Sequence, residues 1–96
     1  MTLFDQGETL FKVLSDKTRL KILNRIHHGE QCGCDLLEGL DIAQPTLSHH
    51  LKVLKSHGLI KGTKEKTKVK YTLDETMKET VKTLFTRIMD KTPTQC

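Results

Sequence analysis

The sequence has no apolar run approaching the roughly 20 residues that span a bilayer. Residues 1–5 show neither the basic nor the apolar region of a secretion signal. It has only three cysteines, an odd number, and a single residue separates Cys32 from Cys34. This usage excludes a secreted disulfide framework. We therefore expect a cytoplasmic protein without membrane attachment.

Catalytic signatures are also missing from the sequence. No Ser/His/Asp order, paired acidic residues or Gly-rich phosphate loop is evident. The 96 residues, 35% hydrophobic and 4% aromatic, match one small domain, which buries about 60 to 65% of its unfolded surface. An enclosed substrate cavity is not expected, and an enzyme is the least favoured class of function.

Positive charge is concentrated in one segment. Residues 61–73 contain five lysines and one glutamate. The net charge of this segment, +4, equals that of the whole chain. Lys68 and Lys70 alternate with Val69, Tyr71 and Leu73, and period two predicts a β-hairpin with a basic tip. Such a hairpin is either a solvated edge protected by lysine or a contact for nucleic acid.

Helical periodicity surrounds the hairpin. A first helix carries Leu3 and Leu10, and a second, with Leu20 expected in the core, follows a cap within residues 15–18. A short third helix is predicted to open at Asp35 as an acidic cap. Asp74 is predicted to cap the last helix.

The fourth helix, residues 44–58, is the most informative. Leu47, Leu51 and Leu54 form one stripe with His50 at its edge. The opposite face is polar and rich in hydrogen-bond donors, which suits either a DNA major groove or an ordinary solvated surface.

The last helix has a longer apolar stripe than the small core needs. We predict that part of it joins the first helix in a homodimer interface, which would let two copies read two half-sites of a duplex. Residues 1–91 are predicted to be the domain and residues 92–96 a flexible tail. The predicted interface comprises Leu3, Phe4, Leu10, Val81, Leu84, Phe85 and Ile88.

The order of these elements is that of a winged helix-turn-helix, a mainly α fold with a β-hairpin wing. Residues 14–23, 32–37, 44–54 and 58–60 resemble, in order, the signature segments of the ArsR/SmtB metal-sensing repressors, specifically the arsenical-resistance branch. The resemblance covers residues 8–90. It implies a homodimeric repressor that leaves double-stranded operator DNA when a metalloid binds.

By this resemblance, Cys32 and Cys34 are the sensing ligands. Trivalent arsenic and antimony, As(III) and Sb(III), are soft ions that take three thiolates in a pyramid. The third cysteine of some members is replaced here by Leu37, so Cys96 is a candidate third ligand. Residues 1–31 lack the cysteines of cadmium and lead sensors, and residues 74–96 lack the histidines of zinc sensors.

The DNA-binding residues lie on the fourth helix and the hairpin. The resemblance expects Ser at position 43, where Ala43 stands, so a helix cap is either missing or supplied by Asp41. The predicted contacts to bases and phosphates are Gln44, Thr46, Ser48, His49, Lys52, Lys55, Lys64, Lys66 and Lys68.

Other functions remain open at this point. A thiol-redox, persulfide or other thiophilic-metal sensor would use the same fold. A redox pair must form a disulfide, which we do not expect between Cys32 and Cys34 because the ring would be strained, although Cys34 and Cys96 would suffice. A winged helix that binds only protein would show no salt-dependent DNA affinity.

Overall fold

The computed structural model describes residues 2–29 and 32–90, which form five helices and one two-stranded antiparallel sheet. No helix in these ranges is long and apolar enough to cross a membrane. The predicted tail and Cys96 lie outside the described residues. In chain order the elements are α1 (Leu3–Leu14), α2 (Lys17–His27), α3 (Gly33–Gly39), α4 (Gln44–Ser56), β1 (Ile60–Glu65), β2 (Lys68–Leu73) and α5 (Glu75–Ile88).

Short-range hydrogen bonds fix where most helices begin. Asp16 caps α2 and Asp74 caps α5, each carboxylate accepting the N–H of the residue three positions later. The bond from the Met77 N–H holds the pKa of Asp74 below its ordinary value of 3.8. Helix α2 is followed by Gly29 at a φ of 100°, the left-handed geometry expected of a helix stop.

The expected start of α3 is wrong. Cys32, not Asp35, is the N-cap, and its sulfur accepts the N–H of Asp35 at 3.3 Å. Asp35 therefore lies in the first turn, where its negative charge still complements the helix dipole.

The core joins α2, α3, α4 and β1. Ile22, Leu36, Leu54 and Ile60 are its most deeply buried large side chains. Leu20, expected in this core, is instead 51% exposed, since Ile22 and Ile26 form the buried face of α2.

Helices α1 and α5 pack against each other. Leu10 and Leu84, predicted to face a second copy, are buried within one chain, so that part of the predicted interface is corrected. Phe4 and Phe85 remain exposed, together with Met89.

The predicted hairpin is present and extends from Ile60 to Leu73. Glu65 pairs with Lys68 across the tip, which leaves Lys66 and Thr67 as the turn. Lys66 adopts a φ of 55°, a backbone conformation that favours glycine, so the turn carries a strained lysine at its outermost point.

Helix α4 starts without a side-chain cap. Ala43 occupies the N-cap with extended geometry and makes no capping hydrogen bond. We expect Ala43→Ser to raise the free energy of unfolding by about 0.5–2 kcal/mol, because a hydroxyl would accept a free helix N–H. Chemical denaturation at fixed protein concentration measures this. Ala43→Val, which offers no acceptor, is the control. Equal stability of Ala43→Ser and Ala43→Val would contradict the prediction that a hydroxyl at this position caps the helix.

Candidate nucleic-acid interface and cysteine site

Burial of one face of α4 leaves the other face in solvent. Leu47, Leu51 and Leu54 lie in the core, as the periodicity predicts. Polar side chains with short reach therefore point outward, near the N-terminal half of the helix, and lysines follow them. All of these predicted contact residues are exposed: Gln44, Thr46, Ser48, His49, Lys52 and Lys55.

The wing lies beside this exposed face. A cleft of about 240 Å³ separates α4 from β2 and is lined by Ser48, Lys52, Lys55 and Tyr71, with Leu51 at its base. Tyr71 was not predicted to lie near α4. Its alternation with the lysines indicates only that it lies on the face of β2 opposite to them. The structure thus places Tyr71 of the hairpin beside Lys52 and Lys55 of α4.

The wing lysines differ in their partners. Lys61 lies 3.7 Å from the Asp74 carboxylate. Within residues 2–29 and 32–90, Lys64, Lys66 and Lys68 have no carboxylate at ion-pair distance, and all three are exposed. Their charge is therefore available to an anionic partner such as a phosphate backbone.

Cys32 and Cys34 meet at the start of α3. Their sulfurs and a carboxylate oxygen of Asp35 all lie within 4.8 Å of one another. Cys34 is exposed and Cys32 half-buried, so a small solute reaches the site. Two thiolates fit a soft ion, and the hard carboxylate is a poor third ligand for it.

The expectation that these cysteines are unable to pair is wrong. The structure joins Cys32 and Cys34 in a disulfide. Cys32 is extended and the helix begins at Gly33, which brings the two Cα atoms to 5.4 Å, a separation that a disulfide normally spans.

Cys32 also contacts the wing. It forms an isolated antiparallel β-bridge with Lys70 of β2, so the residue that caps α3 also extends the hairpin sheet. The sequence gives no local signal for this pairing, because the two residues are far apart in the chain. Helix α3 in turn packs against α4.

Known transcriptional regulators are similar to this chain in sequence. Residues 16–61 match the family model described as "Bacterial regulatory protein, arsR family". The chain is 44% identical to the arsenical resistance operon repressor of Staphylococcus aureus, over 74% of this chain and 68% of that protein. It is 42% identical to the cadmium resistance transcriptional regulatory protein CadC homolog of the same species, over 79% and 64%.

Solved structures share the fold. The ArsR-like transcriptional regulator from Rhodococcus sp. RHA1 superposes with a TM-score of 0.78 at 24% identity, over 88% of this chain and 80% of that one. This chain belongs to the ArsR family of winged helix-turn-helix, DNA-binding transcriptional regulators. Members of this family are regulators, not enzymes.

The capping role of Cys32 predicts different effects of two substitutions. In reducing buffer, Cys32→Ser should be more stable than Cys32→Ala by about 1 kcal/mol, because only serine keeps an acceptor for the Asp35 N–H. The control is the pair Cys34→Ser and Cys34→Ala, whose stabilities should agree because Cys34 does not cap the helix. Equal unfolding free energies for the two Cys32 variants would contradict the cap.

Proposed function

We propose that the protein is a homodimeric cytoplasmic repressor that binds operator DNA and is released when As(III) or Sb(III) binds the thiolates of Cys32 and Cys34. One observation carries this proposal: Cys32 caps α3, which packs on α4, and bridges Lys70 of the wing. The wing therefore contacts the cysteine site directly, and α4 contacts the helix that begins at that site. The arsenical resistance repressor among the relatives supports the choice of inducer.

In this proposal α4 enters the major groove. Thr46, Ser48 and His49 face base edges, with Gln44 at the helix start. Lys52 and Lys55 neutralise phosphates beside the groove, and the wing lysines, Lys64, Lys66 and Lys68, contact the backbone or the minor groove.

Two copies associate through α1 and α5. Phe4, Phe85 and Met89 are large apolar side chains that one chain leaves exposed. Burying such side chains against a second copy removes apolar area from water. Leu3, Val81 and Ile88 are only partly covered by their own chain and lie on the same two helices.

The inducer binds the reduced site. As(III) and Sb(III) are thiophilic and three-coordinate, and the two sulfurs supply two ligands. Cys96, from the same or the partner subunit, or an exogenous thiol supplies the third. Zinc prefers four ligands, which makes two thiols a poor zinc site.

Release follows from the position of the ligands. Drawing both sulfurs onto one ion takes the Cys32 sulfur from the Asp35 N–H and distorts the first turn of α3. The packing of α3 on α4 and the bridge to Lys70 transmit that distortion to both DNA-contacting elements. Tenfold release requires a coupling free energy of about 1.4 kcal/mol.

The inducer assignment is tested with the Cys32→Ser/Cys34→Ser variant, which keeps the α3 cap. Fluorescence anisotropy on the protein's own upstream promoter DNA should show normal binding by this variant and no release by arsenite. The reduced wild-type protein should be released by arsenite but not by Zn(II) or Cd(II). Release of the double variant by arsenite would refute the proposed ligands, and Cys96→Ser tests the third one.

The role of the wing is tested by salt dependence. Lys64→Ala should weaken DNA binding on every sequence and lower the slope of log affinity against log salt by about 1, because one phosphate contact is lost. Lys82→Ala is the matched control, since Lys82 lies on α5 and pairs with Glu79 at 3.5 Å. An unchanged slope in Lys64→Ala would contradict the proposed contact between Lys64 of the hairpin and DNA.

The disulfide favours a second candidate function, a thiol-redox sensor. An oxidant such as diamide would take one hydrogen from each thiol, form the Cys32–Cys34 bond and itself be reduced. If diamide releases DNA and arsenite does not, this function replaces the first. The double serine variant should then resist diamide.

A further inference from the structure

His50 is the one buried polar or charged side chain among residues 2–29 and 32–90. It lies on α4, directly after His49, whose side chain faces solvent. The two rings are 5.9 Å apart between centroids. A buried polar group needs a hydrogen-bond partner, and the partner of His50 comes from another helix.

That partner is Arg19 of α2. Its Nη1 lies 3.3 Å from His50 Nδ1, and its Nε donates to the carbonyl oxygen of Val13 at 2.6 Å. The same guanidinium lies 4.0 Å from the carboxylate of Asp16. One side chain therefore joins the end of α1, the start of α2 and the middle of α4.

The guanidinium restricts which form of the imidazole it can bond. Arginine only donates hydrogen bonds, so the Arg19–His50 contact is a hydrogen bond only when Nδ1 of His50 is unprotonated and the hydrogen of the ring is on Nε2. A second proton on Nδ1 would remove the acceptor and set two cations side by side. The contact between α2 and α4 would then become repulsive.

Negative charges around His50 favour its protonated form, and positive charges disfavour it. The carboxylate of Asp16 interacts electrostatically with His50, and a negative charge there favours the charged ring. The Arg19 N–H bond holds the pKa of Asp16 below 3.8, so Asp16 stays ionised in the range where histidine titrates. The remaining charged side chains of the elements packed on α4 are exposed, except for the half-buried Arg25 of α2: Lys17, Lys21 and His27 on α2, Asp35 and Glu38 on α3, and Lys61, Lys64 and Glu65 on β1.

We propose that Arg19 is a positioning residue that holds α4 in its DNA-binding orientation through neutral His50, so that protonation of His50 in mild acid weakens DNA binding. The proposal rests on the proposed use of α4 in the major groove. It assigns opposite roles to two adjacent histidines. Protonated His49 adds positive charge beside DNA, whereas protonated His50 displaces the helix that carries it.

The experiment compares DNA affinity from about pH 7.5 to about pH 5.5, the range in which histidine changes charge. The reduced wild-type protein should lose about tenfold in affinity, the scale of one hydrogen bond to a charged group. His50→Gln keeps an acceptor for Arg19 but does not titrate, so it should bind like wild type at the higher pH and lose little in acid. His27→Gln, at the exposed end of α2, is the matched control and should keep the full acid loss.

Two results would overturn the proposal. One is an acid loss in His50→Gln equal to that of the wild type, with both proteins folded by circular dichroism. The other is a wild-type long-range ¹H–¹⁵N spectrum at the higher pH in which His50 carries hydrogen on Nδ1. The spectrum needs no variant, so the test stands even if His50→Gln fails to fold.

Failure of the proposed function would give a different experimental result from failure of the role of His50. If the wild type, His27→Gln and His50→Gln all fail to bind DNA at the higher pH while folded, α4 is not used as proposed. If all three bind and share one pH profile, only the role of Arg19 and His50 is refuted.

Discussion

The burial of one face of α4 constrains the rest of the molecule. Leu47, Leu51 and Leu54 enter a core shared with α2, α3 and β1, which fixes the rotation of the helix about its axis. A small domain has few other apolar contacts with which to set that rotation. The polar face of α4, the cleft beside the wing and the position of α3 beneath the helix all follow from this packing.

Cys32 links the cysteine site to the packing around α4. It caps α3, which packs on α4, and it pairs with the wing, so a change in its bonding affects both elements that we propose to contact DNA. The disulfide between Cys32 and Cys34 leaves neither sulfur as a thiolate, so it and the proposed metalloid site exclude each other. Reducing conditions are therefore part of the proposed metalloid response.

Local signals predicted much of this structure. Period 3.6 located α4 and its buried stripe, and period two located the hairpin. The cap residues within positions 15–18 and at Asp74 marked two helix starts. Contacts distant in sequence were not predictable in this way. The Cys32–Lys70 bridge and the Arg19–His50 bond, 31 residues apart, depend on how the helices pack. Leu20 has the same hydrophobicity as its buried neighbours, and periodicity does not distinguish a core face from a face left for a second copy.

The proposed coupling between the cysteine site and DNA must be reciprocal by thermodynamic necessity. The most direct measurement is therefore the arsenite affinity of the reduced protein, determined by calorimetry with and without saturating operator DNA. The account predicts that DNA weakens arsenite binding by the same factor by which arsenite weakens DNA binding. Equal arsenite affinity in the two states would contradict it.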